Sequence, residues 1–315
     1  MDQQIFMNNI SPKQIITDFS NKRKNPVLFL DIKEVGKNVA LLVSELLKGK
    51  FFDSLDVVLQ TPGGNIDAAF LIAKLIRKST KNLTIFVPLY AKSAGTLICL
   101  SADHLLLTDI SELGPLDTQI FEQQDGGQSQ YVSALNGFKA LEQVQLHSIE
   151  TLDITTKLLL SKSSMKICEA VELASDFCGK TSGKLYQKLN PAKIGEYARA
   201  LEIGESYGVT ILNKYCKWDR QKAEMTVKIL VKQYPSHEYV IDLEELTDLG
   251  IPAELICDEL VDSVKILRNL MLQSAETQVE LIEPTTNQNT TLPNTTPPVS
   301  ISGNINIDDN ERLAR

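Results

Sequence analysis

Residues 26–107 alternate short apolar runs with longer segments of helical spacing. Pro26–Asp31 (PVLFLD), Leu55–Leu59 (LDVVL), Leu83–Val87 (LTIFV) and His104–Leu107 (HLLL) read as strands. Between them, Val39–Lys50, interrupted at Gly49, Ile66–Lys78 and Ala94–Ala102 read as helices. This pattern leaves few folds open. Strands joined through helices run parallel, and a parallel sheet needs both faces covered. In the helix from Ile66 the charged residues Asp67, Lys74, Arg77 and Lys78 share one stripe, so the rest of its surface is expected to pack on the sheet.

Beyond Gly126-Gly127 the character changes. Residues 132–233 read as mostly helical, followed by a short strand at Tyr239–Ile241 and a helix from Glu244 to Leu249 that Gly250 stops. From Thr277 to Gly303 the composition falls to Thr, Asn and Pro, which cannot bury enough apolar surface to offset ordering entropy, so a disordered tail is expected. The expected organisation is an arm over 1–25, a domain over 26–262, and a helix end with tail over 263–315. The sequons at Asn289 and Asn294 are read as chance matches, since no secretory signal is seen.

Bulk properties narrow the function. A net charge of −8 argues against a nucleic-acid partner. No run reaches the length of a membrane span, and a soluble, cytoplasmic protein is expected. Five cysteines without CxxC spacing are read as reduced thiols, with no metal site. The nucleotide-binding glycine loops and the G-x-S-x-G elbow are absent from the sequence, and no cofactor is expected.

Two strand ends carry chemistry. The strand at 55–59 runs into Thr61-Pro62-Gly63-Gly64, and the strand at 83–87 is followed by Ala91-Lys92-Ser93-Ala94-Gly95. Each has an ordinary explanation: a tight turn for the first, and for the second an N-cap serine, worth about 1 kcal/mol. Together they allow more. Glycines permit positive φ and close approach, and backbone N–H groups at helix starts can hold an oxyanion. In neighbouring units of one sheet both turns emerge at the same edge. The N–H groups of Gly64 and Ala94 are then candidate oxyanion donors, and the small Ala94 and Gly95 let a carbonyl come close to Ser93.

The motifs TPGGNIDAA, AKSAG and SELGPLD resemble those of the Clp-protease/crotonase superfamily. Residues 91–120 and 234–254 are similar to the central and C-terminal blocks of the serine dehydrogenase proteinase family, relatives of the signal peptide peptidases. The resemblance covers roughly residues 25–125 and 225–255. It implies a ClpP/crotonase-like α/β fold of repeated ββα units with a helical extension, a serine peptidase with Ser93 as nucleophile, the N–H groups of Gly64 and Ala94 as its oxyanion hole and Gly63 and Gly114 against the substrate, and assembly into a homo-oligomer.

A serine needs a base. His104, opening an apolar strand, and His147, in a helical stretch, read as ordinary residues; His237 stands where a helix gives way to a strand. Glu238 follows it, but Ile241 occupies the place of a second zinc-binding histidine, so HExxH fails. The chain departs from the Clp-protease order, offering Asp117 in the region where that group keeps its histidine. One arrangement is therefore Ser93 activated by His237, with Asp117 orienting the imidazole. A rival is a Ser–Lys dyad. Lys139 fits by position but reads as part of an exposed helix face, and Lys92 is expected to point away from the serine. A third possibility is that no competent base exists. The leading function is intracellular hydrolysis of a protein or peptide substrate through an acyl-enzyme; an enzyme acting on acyl-CoA and a non-catalytic scaffold are the alternatives.

Overall fold

The structure, a computed structural model, describes residues 11–116, 119–123 and 129–285. The described residues up to Pro284 form one compact unit. Its centre is a six-stranded sheet of β1 (Val27–Asp31), β2 (Phe52–Gln60), β3 (Thr80–Val87), β5 (His104–Leu107), β9 (Ala253–Leu255) and β10 (Gln278–Ile282). The spatial order is β10-β1-β2-β3-β5-β9, parallel except for β10, which pairs antiparallel with β1.

The helices α2 (Lys37–Leu47), α3 (Ile66–Lys78) and α4 (Ala94–Cys99) cover one face. Leu28, Leu30, Val57 and Leu59 supply the sheet side of that core. α3 buries Ala68, Ala69, Ile72, Ala73 and Ile76. Small residues in that stripe let the helix sit close to the strands, and each buried Ile contributes about 1.5–3 kcal/mol. Its start is fixed by Asn65, whose side chain accepts from the Ala68 N–H at 2.9 Å. The opposite face carries α1 (Pro12–Arg23) and α10 (Asp258–Gln273) on Val27, Phe29, Val58 and Phe86. Phe19 meets Phe86 edge-on at 5.2 Å, and Arg23 reaches the buried carboxylate of Asp56 at 2.7 Å.

A second, smaller layer sits over the carboxyl ends of the strands. β4 (Tyr90–Ala91) and β6 (Glu112–Leu113) pair in parallel, Thr61 bridges to Ala91, and Leu113 bridges to Ile241. The hairpin of β7 (Gln119–Gln123) and β8 (Ser129–Ser133) then leads into the helical extension: α5 (Ala134–Lys162), α6 (Ile167–Tyr186), α7 (Pro191–Thr210) and α8 (Arg220–Lys232). α9 (Leu243–Asp248) precedes β9.

The βα alternation read from the sequence is the one observed, and 132–233 is mainly helical as expected. Three details differ. Residues 12–23 form a helix that packs on the sheet, so much of the expected arm belongs to the fold. The expected strand at 239–241 contributes a single bridge at Ile241. The disordered stretch does not begin at Thr277: residues 278–282 pair along the whole of β1. Gln-Val-Glu-Leu-Ile still has a strand's alternation, and the free edge of β1 supplies its partner. The sequons and the later part of the Thr/Asn/Pro stretch lie outside the described residues.

Candidate active site

The two turns singled out in the sequence meet. Beyond Gln60 the chain continues as an extended segment with neighbours on both sides. On one side, the Thr61 N–H donates to the Tyr90 carbonyl (3.1 Å), and the Lys92 N–H donates to the Thr61 carbonyl (3.0 Å). On the other, the Val35 N–H donates to the Gly63 carbonyl (2.8 Å), and the Asn65 N–H to the Val35 carbonyl (2.7 Å). Among the described residues all peptide bonds are trans. Across the 63–64 peptide the Gly64 N–H therefore points away from the Gly63 carbonyl, and so away from Val35.

Glycine is required at both positions. Gly63 has φ +116° and Gly64 φ +141°. A methyl group on Gly63 would stand 3.0 Å from the Ser93 Cβ and 3.5 Å from the Ala94 nitrogen; one on Gly64 would stand 2.6 Å from the Val35 carbonyl oxygen. Gly63 thus lies directly against the serine turn. Gly63 is buried and Gly64 exposed, so the loop is anchored on one side and open on the other.

Ser93 has φ 50° and ψ −113°. That conformation is sparsely populated for an L-residue and costs on the order of 1–3 kcal/mol. The plain N-cap explanation fails: an N-cap residue is extended, and the Ser93 side chain makes no cap hydrogen bond to α4. The turn is held by its neighbours. The Gly95 N–H donates to the Lys92 carbonyl at 2.7 Å, and the Leu97 N–H to the Ser93 carbonyl at 3.3 Å. Gly95 has no room for a side chain, since a methyl group would lie 2.5 Å from the Thr61 Cγ2. Ser93 is 6% exposed, at the first turn of a wholly buried helix. The Ala94 N–H, first in that helix, faces the helix's positive end.

Gly114 closes the third side. A methyl group there would meet the Lys92 Cδ at 2.9 Å and the Ser93 nitrogen at 3.4 Å. Thr96 pins it: the Gly114 N–H donates to the Thr96 hydroxyl (3.2 Å), whose proton is shared between the carbonyls of Gly114 (2.7 Å) and Ala91 (2.9 Å). Thr96 was not singled out in the sequence. Its spacing of three from Ser93 was the available signal, because that interval places it one helical turn above the serine.

The candidate bases lie on different elements. His237 is half-buried in the loop between α8 and Ile241. Both flanks of that loop are tied to the segment carrying Gly114: the Leu116 N–H donates to the Leu230 carbonyl in the last turns of α8, and Leu113 exchanges two hydrogen bonds with Ile241. Lys139 does not lie on an exposed helix face. It is half-buried, and its ammonium donates to the Tyr234 carbonyl of the same loop at 2.7 Å. Asp117 lies outside the described residues. His104 and His147 are exposed, in keeping with ordinary roles. Lys92 turns its ammonium to Glu112, 3.0 Å away. Burial pushes the Cys99 thiol, at the end of α4, far above the ordinary thiol range, so it stays a protonated core residue. Among the described residues no cluster of side chains could hold a metal ion, and no helix is long and apolar enough to cross a membrane.

Residues 44–165 match the family of ClpP-like SDH-type serine proteinases, a span that includes both turns. Two uncharacterized proteins of Methanocaldococcus jannaschii are similar. MJ0137 is 26% identical over 200 residues, 64% of this chain and 53% of its own length; MJ1495 is 31% identical over 106 residues, 33% and 34% of the two chains. The chain thus spans about half of one relative and a third of the other. Among solved structures, a mutant of the 1510-N membrane-bound stomatin-specific protease aligns over 76% of this chain and 84% of its own, at 15% identity and a TM-score of 0.41.

Proposed function

We propose that this chain, a member of the ClpP-like SDH-type serine proteinase family through residues 44–165, is a peptidase that cleaves peptide bonds through an acyl-enzyme on Ser93. The observation that carries the reading is the backbone of Ser93. A non-glycine residue held at φ 50° and ψ −113°, against a double-glycine loop, is strain kept in place by at least three surrounding hydrogen bonds.

In this reading an extended peptide lies beside the exposed Gly64 side of the Gly63–Gly64 loop, since the space at Gly63 and at Gly114 is filled by the serine turn and the Lys92 stem. The Ser93 hydroxyl attacks the scissile carbonyl. The N–H groups of Gly64 and Ala94 receive the negative charge that forms on the carbonyl oxygen; one such donor is worth about 10²–10³ in rate. His237 takes the serine proton and returns it to the leaving amine, with Asp117 holding the imidazole. Water then releases the acyl group. A second reading assigns the proton to Lys139. Its half-buried ammonium beside the 234–238 loop favours it; its hydrogen bond to the Tyr234 carbonyl commits the nitrogen to that loop and opposes it. A homo-oligomer would enclose the site and restrict access to it.

The test is intact-mass spectrometry after reaction with a fluorophosphonate, with the adduct mapped. One adduct on Ser93, lost in Ser93→Ala, is expected. A folded protein that takes no adduct, or takes it elsewhere, overturns the reading. His237→Ala should slow labelling by several orders of magnitude while Lys139→Ala leaves it largely intact; the reverse pattern transfers the role to the lysine.

A further inference from the structure

Lys92 stands next to the proposed nucleophile, and its charge is directed elsewhere. Its side chain runs from the serine turn across Gly114, where its Cδ would be 2.9 Å from an added methyl group, and ends on Glu112 at 3.0 Å. Residues 112 and 114 are two apart in an extended segment, so their side-chain positions share a face. Glu112 supplies the charge on that face, and Gly114, by having no side chain, supplies the channel. The Lys92 side chain is 12% exposed and that of Glu112 30% exposed, so neither ion is fully hydrated. The Lys92 backbone is equally committed: its N–H is bound to Thr61 of the glycine loop, and its carbonyl to Gly95 in the turn that strains Ser93.

We infer that the Lys92–Glu112 pair is a strut that positions the nucleophile. It ties the glycine loop, the serine turn and the segment carrying Gly114 into one rigid unit. Lys92 touches no reacting atom in this role; it acts through the 92–95 turn, and Glu112 through Lys92. The inference rests on Ser93 being the nucleophile.

The experiment compares fluorophosphonate labelling rates of wild type, Lys92→Met, Glu112→Gln and the charge-swapped double variant Lys92→Glu/Glu112→Lys, alongside backbone amide exchange at Gly95 in each. Lys92→Met keeps most of the stem over Gly114 and removes only the charge. Labelling is expected to slow about 10- to 100-fold in either single variant, the size of effect that a small misplacement of a reacting group produces. The Gly95 amide should exchange faster in parallel, and the swapped pair should recover most of both. Recovery on swapping is what a merely structural loss in one side chain would not give. Unchanged labelling at Ser93 and unchanged Gly95 exchange in both single variants overturn the strut; so does a swapped pair no better than the singles. If wild type itself takes no label, the nucleophile reading has failed, and Gly95 exchange alone still decides whether the pair holds the turn. Should Lys92→Met not fold, Glu112→Gln carries the same comparison.

Discussion

At the carboxyl edge of the sheet, the loops around Gly63, Ser93 and Gly114 can be set beside the tips of β10, β1 and β2, where Gln278, Asp31 and Gln60 lie side by side. Both regions put polar groups into the protein interior. In the first, nearly every group is tied. Thr96 alone serves Ala91 and Gly114, and Thr61 links the Gly63 N–H to its hydroxyl at 3.2 Å. In the second, among the described residues, both amide atoms of Gln60 and the Gln278 Oε1 are buried with no partner, and burial pushes Asp31 up to about 6 against the pull of Lys33. The lesson is about where a protein spends its hydrogen bonds. A strained backbone persists only if its surroundings over-determine it. The β1–β2 corner holds no such conformation and tolerates unmet polarity.

The largest effect should come from breaking the tied region at its tightest point. Gly64→Ala forces a side chain onto φ +141° and to within 2.6 Å of the Val35 carbonyl oxygen. A loss of about 3 kcal/mol or more in denaturant unfolding is expected, or displacement of the loop. In either case fluorophosphonate labelling should fall about 100-fold or more. Wild-type labelling in a stable Gly64→Ala protein would remove this loop from the site. Thr96→Val comes next. It keeps the shape and leaves the buried Gly114 N–H without its acceptor, so about 2–3 kcal/mol of stability should be lost together with labelling rate.

The comparison also explains what could be read in advance. The βα alternation and the Gly63-Gly64 and Ser93 turns are local: apolar runs, glycines and a serine at strand ends carry them in the sequence. The small layer of Thr61, Ala91, Leu113 and Ile241 is not local, because single bridges between residues up to 128 positions apart leave no periodic trace. Lys139 escapes a reading of the sequence for the same reason. A lysine in Asn-Gly-Phe-Lys-Ala has every mark of a wet helix face, and only the return of the 234–238 loop buries it. Gln278–Ile282 was hidden by the Thr/Asn/Pro composition that follows it. Thr96 and Glu112 needed the third dimension, since each matters through Gly114.

Asp31 sharpens the contrast from the other side. Its folded pKa of about 6 lies above its ordinary 3.8, chiefly because burial disfavours the charge. Between about pH 4 and pH 6 the folded protein holds a proton that the unfolded chain releases. Stability from this group is therefore complete below about pH 4 and is lost as pH rises through about 6. Asp31→Asn, which cannot ionise, should flatten that part of the stability–pH curve. Relative to wild type it should gain on the order of 2–3 kcal/mol as pH rises from 4 to 7. Urea midpoints across that range measure it, and a slope of the opposite sign would show that the Lys33 pair outweighs burial.

The smallest effect is expected at Gln60, and it is the most discriminating. The residue is 1% exposed and immediately precedes Thr61, so proximity alone would rank it with the site. Its backbone carbonyl does accept from Ile32 at 2.9 Å, a bond that any residue could make. Its amide group meets no donor or acceptor among the described residues. Gln60→Met has nearly the same length and removes the unmet polarity, so unfolding free energy should stay within about 1 kcal/mol of wild type, with any change toward greater stability. Labelling at Ser93 should be unaltered. A destabilised Gln60→Met would mean that the amide has a partner in solution, such as ordered water, and would make the β1–β2 corner a satisfied region like the first. A stable variant with slowed labelling would instead show that the tied region extends below Thr61, into the strand that carries the glycine loop.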